Sequence, residues 1–211
     1  MTVLAARMTG FALSLIAIGL SGCDRSTVTA KANINLEQAT DAERDQAAMV
    51  LRARFEAIAP SMFSSVDVKR SGADIVLVFR GEPPSDEEIR SYAASRGVMR
   101  MAPQDSPHNW LVTDRDVESV SVSGSSQGPV LDLRVSERAG QRLLQYTSRN
   151  QGKVLVTTWD EDAPFHASIQ GIFSRQFQTT GFDAETAMRR RIILESGRLP
   201  VAVRNVEISH P

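Results

Sequence analysis

Hydrophobic positions recur along the chain with two different periods, and these divide it into alternating helices and strands. Thr40-Asp-Ala-Glu43 has the capping-box pattern, in which the threonine oxygen and the glutamate carboxylate satisfy each other's end of a first helical turn. Ala47, Leu51, Phe55 and Ile58 follow at helical spacing as far as Pro60, which cannot continue a helix. The period then falls to two. Val66 and Val68 alternate with polar neighbours, Ser71-Gly72 turns the chain, and Asp74 to Phe79 is apolar enough for a buried strand. Ser85 caps a second helix, which turns Ile89, Tyr92 and Ala93 to one side and ends at Gly97. Val98 to Met101 predicts one more strand. With a strand at Val28 to Ile34, the order is strand-helix-strand-strand-helix-strand, which is the ferredoxin-like order.

A proline-bearing loop from Gln104 to Asn109 marks a boundary. Beyond it Val117 to Val122 alternates, a Ser/Gly loop follows, and Val130 to Val135 is a second strand. Ser136 caps a helix carrying Leu143, Leu144 and Thr147. Lys153 to Trp159 is a strand, Phe165 to Ile172 is extended, Asp183 to Ser196 is a helix stopped by Gly197, and Val201 to Ile208 is the last strand. The pattern predicts an α+β protein with a ferredoxin-like base over residues 39–104. A second, α/β unit follows over 105–211, including the C-terminal helix and strand.

The first segment follows other rules. Arg7 gives a short positive start, Phe11 to Leu20 is apolar, and Leu20-Ser21-Gly22-Cys23 ends the run on small residues. The apolar run rises only about 15 Å as a helix, half the hydrocarbon thickness, which is too short for a permanent span. The four residues resemble a lipobox, the cleavage motif of bacterial lipoproteins. That resemblance implies cleavage between Gly22 and Cys23, with a diacylglyceryl thioether and palmitate on Cys23; the polar, small-residue stretch that follows reads as a tether over residues 23–38. Each buried methylene contributes about 0.8 kcal/mol, so two or three chains anchor the protein to a membrane. Asp24 after the lipidated cysteine points to the inner rather than the outer membrane, with the body facing the periplasm. Cys23 is the only cysteine, so no internal disulfide can form. The net charge of -1 gives no basis for a nucleic-acid partner.

Three stretches of the second and first halves resemble one family in the family's own order. The first is Val50-Leu-Arg-Ala-Arg-Phe-Glu-Ala-Ile58 with the hairpin from Val66 to Phe79. The second is Val135-Ser-Glu-Arg-Ala-Gly140 opening a helix, followed by Asn150-Gln-Gly-Lys-Val-Leu-Val156. The third runs from Thr180-Gly181-Phe182 through Ser196-Gly197-Arg198-Leu199-Pro200 to Val206-Glu207. Together they are similar to the first periplasmic region, P1, of SecD, the accessory subunit of the bacterial protein-export channel. The resemblance implies a ferredoxin-like base carrying a head that handles exported polypeptides. It also implies unfolded exported chains or export-channel components as partners. SecD continues into membrane helices that carry a proton-coupling carboxylate. This chain ends at Pro211, and Asp160-Glu161-Asp162-Ala163-Pro164 replaces the family's compact turn. The expectation is a lipoprotein that holds polypeptides without a motor. The rival is a structural or regulatory envelope lipoprotein with one specific protein partner.

Candidate chemistry is sparse. Gly124-Ser125-Ser126-Gln127-Gly128 matches the Gly-x-Ser-x-Gly elbow, with Asp160 and His166 following in hydrolase order. An elbow needs a helix after the serine, whereas Pro129 and an alternating strand come next, so a hairpin is expected. His108, His166 and His210 are scattered without partners at metal-ligand spacing. Asp86-Glu87-Glu88 complements a helix dipole. Arg189-Arg190-Arg191 is expected to be a solvated helix face, with anionic headgroups as the alternative. No catalytic residue, metal, cofactor or small-molecule substrate is expected.

Overall fold

The computed structural model describes residues 28–36, 38–59, 64–126, 128–160 and 162–211. The first elements are β1 (Val28–Leu36), α1 (Asp41–Ala57), β2 (Ser65–Ser71), β3 (Asp74–Arg80), α2 (Asp86–Ala94), β4 (Met99–Pro103) and β5 (Val112–Thr113). After a 3-10 turn at Asp114–Asp116 come β6 (Val117–Ser125), β7 (Gly128–Val135), α3 (Glu137–Thr147), β8 (Val154–Trp159), β9 (Phe165–Ser168), β10 (Gln176–Thr179), α4 (Ala184–Ser196) and β11 (Val203–Ser209).

Both expected capping boxes form. Thr40 N donates to the Glu43 carboxylate at 2.8 Å while Glu43 N donates to Thr40 Oγ1 at 3.3 Å, and Ser85 with Glu88 repeats the arrangement. The base is an antiparallel sheet in the order β11-β1-β3-β2. Ile75, Leu77 and Phe79 alternate inward from β3 and share a core with Leu51 and Phe55 of α1 and Ile89 and Ala93 of α2. The Phe55 and Phe79 rings meet edge to face at 5.5 Å.

Two expectations about the base are corrected here. The tether over residues 23–38 gives way at Val28, because β1 is an inner strand whose Ala30, Ala32 and Ile34 are 0% exposed. The small alanines of β1 leave room for the helices above the sheet. The strand expected to complete the base, Val98 to Met101, instead becomes β4 and pairs with β5 and β8 in another sheet. Its place is taken by β11 at the edge beside β1, so the C-terminal strand belongs to the base rather than to the unit over 105–211. Alternation fixes which face of a strand is buried but not which sheet it joins. Met99 and Met101 pack into the second core, which decides the matter.

The head has two sheets, β10-β7-β6 and β5-β4-β8-β9. Met99, Val112 and Leu131 from these sheets share one core with Leu143 of α3, all fully buried. Gly140 lets the chain entering β10 cross α3, since a Cβ there would stand 2.7 Å from Arg175 Cγ and 3.1 Å from its backbone nitrogen. Helix α4 serves both cores. Ile192 and Ile193 are buried in the base, while Leu194 and Phe182, just before the helix, pack against the head. The extended stretch expected over Phe165 to Ile172 forms a strand only as far as Ser168. Among the described residues, no helix is long and apolar enough to cross a membrane.

Candidate functional site

The base and head meet at a buried arginine. Arg54, in the last turn of α1, is 0% exposed. Its Nη1 donates to Tyr92 O at 2.9 Å and to Ser95 O, its Nη2 to Gly197 O at 2.9 Å, and its Nε to Ser196 Oγ at 3.1 Å. One guanidinium therefore ties together the C-terminal ends of α1, α2 and α4. Burial lowers its pKa to about 10, against the opposing pull of the Asp160 carboxylate, so it remains a cation at neutral pH. Gly97 is required beside it: its φ is +78°, and an added Cβ would lie 3.2 Å from both Arg54 Nη2 and Gly197 O.

Asp160 clips the head to the same place. Its carboxylate accepts from Val98 N at 2.8 Å, Gly97 N at 3.1 Å and the Ser95 hydroxyl, while its own N–H donates to Val98 O at 2.8 Å. Above this knot lies a cleft of about 190 Å³ between α2, the end of β8 and α4. Within it the Arg190 guanidinium sits 4.7 Å from the Trp159 ring centre and 4.3 Å from that of Phe182, with Asp162 at 3.7 Å. Burial lowers the Arg190 pKa and Asp162 opposes the shift. Arg189 donates to Ser91 Oγ at 3.1 Å and reaches Asp162 at 3.5 Å, and Arg191 pairs with Glu195 at 3.4 Å. The arginine triplet is thus not a solvated face. Its middle member is sandwiched between aromatic rings, and its neighbours are engaged. Arginines keep their charge through the physiological range, so this junction clamps and orients rather than exchanging protons.

The other sequence-flagged residues fall as follows. Gly22 and Cys23 lie outside the described residues. Ser126 is in the connection between Ser125 and Gly128, which are paired, and β7 follows directly. The Gly-x-Ser-x-Gly pattern is a hairpin here. The Asp160 of that constellation is committed to the β4 entry, and His166 is exposed on β9 opposite Val156. His108 faces the edge of Trp110 at 6.4 Å, and His210 Nε2 is 3.0 Å from Asp86. Among the described residues, no three His, Cys, Asp or Glu side chains converge as a metal site. The buried role of Arg54 was not foreseen, although it repeats the spacing of Ala47 and Leu51 on the inward face of α1.

The sheet edges also differ in what covers them. On β2, Arg52 Nη2 donates to Val68 O at 3.0 Å, and on β11, Arg90 Nη1 donates to Val206 O at 2.6 Å. The head edge strand β6 has Val120 buried and Val122 half-buried toward the core, with Ser119, Ser121 and Ser123 exposed on the other face. That face opens into a shallow polar groove of about 380 Å³ bounded by Ser121, Asp132, Arg134, Gln176 and Gln178.

A family model described as SecDF, P1 head subdomain, matches residues 106–201. Among solved structures, the chain is similar to one described as the crystal structure of SecDF in super-membrane-facing form. The TM-score is 0.64 at 17% identity, covering 85% of this chain and 30% of that one. It is also similar to one described as the structure and function of a membrane component SecDF that enhances protein export. There the TM-score is 0.62 at 17% identity, covering 84% of this chain and 99% of that one. This chain thus spans 30% of the length of the first of these. No curated protein matches its sequence.

Proposed function

We propose, from the premise that residues 106–201 form a P1 head subdomain of the SecDF type, that this protein is a non-motor accessory of protein export. It holds extended or partly folded polypeptides at the periplasmic face of the inner membrane. A lipid on Cys23 anchors it there. The observation that carries the reading is the head together with its base, a fold similar over 84% of this chain to the solved structure of a membrane component described as SecDF that enhances protein export. The clamp of Arg54 and Asp160 supports it, because it fixes a polypeptide-facing head to a body that can be tethered at its N-terminal side. The polar outer face of the head suits main chain and mixed side chains better than one apolar ligand.

Photocrosslinking in cells from a position on the head, such as Ser121, tests the reading. Secreted precursors of many sizes should be captured. Capture of one defined envelope protein instead would replace it with the structural or regulatory alternative. The anchor has a separate test. Radiolabelled palmitate should enter the wild-type chain and not Cys23→Ser, and label persisting in the variant would remove the lipid from the proposal.

A further inference from the structure

We infer that the outer edge of β6 is the docking strand of the head, where an extended, uncharged stretch of polypeptide adds as a fourth strand. The inference rests on the polypeptide-binding reading above and gives it a location. Pairing register identifies the groups involved. Gly124 stands opposite Pro129, which has no N–H, so this pair cannot be one that exchanges hydrogen bonds between β6 and β7. By alternation, Val120 opposite Leu133 and Val122 opposite Leu131 are of the same kind. Val120, Val122 and Gly124 therefore direct their N–H and C=O groups away from β7, along an edge with no neighbouring strand. Val120 is buried where α4 packs against β6, so the accessible part is the hairpin end, at half-buried Val122 and exposed Gly124. Among the described residues, no side chain or backbone group bonds to them.

Proteins protect long edges with charges, prolines, bulges or covering groups. Here β2 and β11 each have an outward carbonyl capped by an arginine, whereas β9, β10 and β5 run four, four and two residues. The nine residues of β6 include no proline or lysine, and the one charged member, Glu118, is paired with Arg134 and Arg175. A bulge lies only at its start, between Val117 and Ser119. The occupant follows from the side chains. Ser119, Ser121 and Ser123 are small and neutral, and Ser123 Oγ already donates to Asp132 at 2.7 Å, so affinity comes from main-chain bonds, as suits a chain of variable sequence. A second copy of this protein would need a sizeable apolar patch for a stable interface. Among the described residues, the exposed large hydrophobic ones, Met49, Leu144, Ile172 and Met188, all lie off β6.

The test is fluorescence anisotropy of a labelled, proline-free, uncharged peptide with the full chain in detergent. Val122→Pro removes an outward N–H and leaves the β6–β7 bonds intact. Ser121→Lys places a charge on the edge without touching the core. Each should weaken binding about tenfold, the effect of one or two main-chain hydrogen bonds. Amide exchange at Val122 and Gly124 should slow when peptide is added. That readout decides the matter if Val122→Pro does not fold. Unchanged affinity in both variants, or unchanged exchange in the wild type, overturns the docking strand and leaves polypeptide binding in place. Failure of the wild type to bind any peptide overturns both. Sedimentation showing a dimer that Ser121→Lys dissolves would assign the edge to a second copy and overturn the inference.

Discussion

On the base, Arg52 and Arg90 reach over β2 and β11 and donate to the outward carbonyls of Val68 and Val206. On the head, β6 turns the backbone groups of Val122 and Gly124 outward beside exposed serines. Both regions are built of antiparallel sheets, so strand pairing alone does not account for the contrast. The base uses arginine for closure throughout. Arg70 adds ion pairs to Asp41 at 2.6 Å and Asp45 at 2.9 Å across α1 and β2, and Arg80 pairs with Asp67 at 2.7 Å. On the head the charges of the hairpin are engaged within the sheet: Glu118 pairs with Arg134 and Arg175, and Asp132 accepts from Ser123 Oγ at 2.7 Å and from Gln178. The difference shows that edge protection here is selective, and it places the accessible main chain on the head.

The comparison has force only if base and head are one body, and Arg54 is where that can be broken. Arg54→Met leaves the carbonyls of Tyr92, Ser95 and Gly197 buried without their donor. Urea unfolding should show a loss of about 3–5 kcal/mol, the range for disrupting a buried charged network. A loss below about 1 kcal/mol would mean that the knot does not hold the two regions together, and their edges would then have to be judged separately.

A smaller effect is expected at the root of β6. The Asp116 carboxylate accepts from Thr113 N and Oγ1 and from Arg142 Nη2, each at 2.9 Å. Burial pushes its pKa up, but the Thr113 donors and Arg142 outweigh that and hold it below the usual 3.8. A carboxyl with a depressed folded pKa adds stability that is full above its unfolded value. That stability is lost as pH falls through the folded one. Asp116→Asn should therefore cost about 2 kcal/mol at pH 7, and the gap from wild type should close as the pH is lowered below 3.8. A gap that stays constant with pH would show that the bonds, and not the charge, anchor the strand.

Helices and most strands were legible because each is written locally. The Thr40 and Ser85 boxes, the alternation through Ile75, Leu77 and Phe79, and the stop at Gly197 need no partner elsewhere in the chain. The ferredoxin-like base and the head were also legible, the latter through motifs from Val135 to Pro200 that lie within the residues matched by the P1 head model. What was not written locally was the choice of sheet. Met99 to Pro103 and Val203 to Ser209 are both short apolar-alternating stretches, and only the packed cores decide which one completes the base. The Arg189 to Arg191 triplet misled for a related reason. Nothing in a run of arginines says that Trp159 and Phe182 will close around the middle one.

The smallest expected change bears most directly on the contrast between edges. Arg90→Ala removes one hydrogen bond from an exposed side chain to Val206 O, so stability should fall by about 1 kcal/mol or less. Its effect on binding should be disproportionate. With the carbonyl uncovered, β11 becomes an unprotected edge of seven residues. The variant should then bind a second equivalent of the uncharged peptide, read as a doubled stoichiometry in a titration. Arg204 and Glu207 remain on β11 and keep that new site weaker than β6, so the second equivalent should appear at higher peptide concentration. If Arg90→Ala gains no peptide, capping by arginine is not what separates the two edges, and the side-chain charges along β11 carry the protection instead.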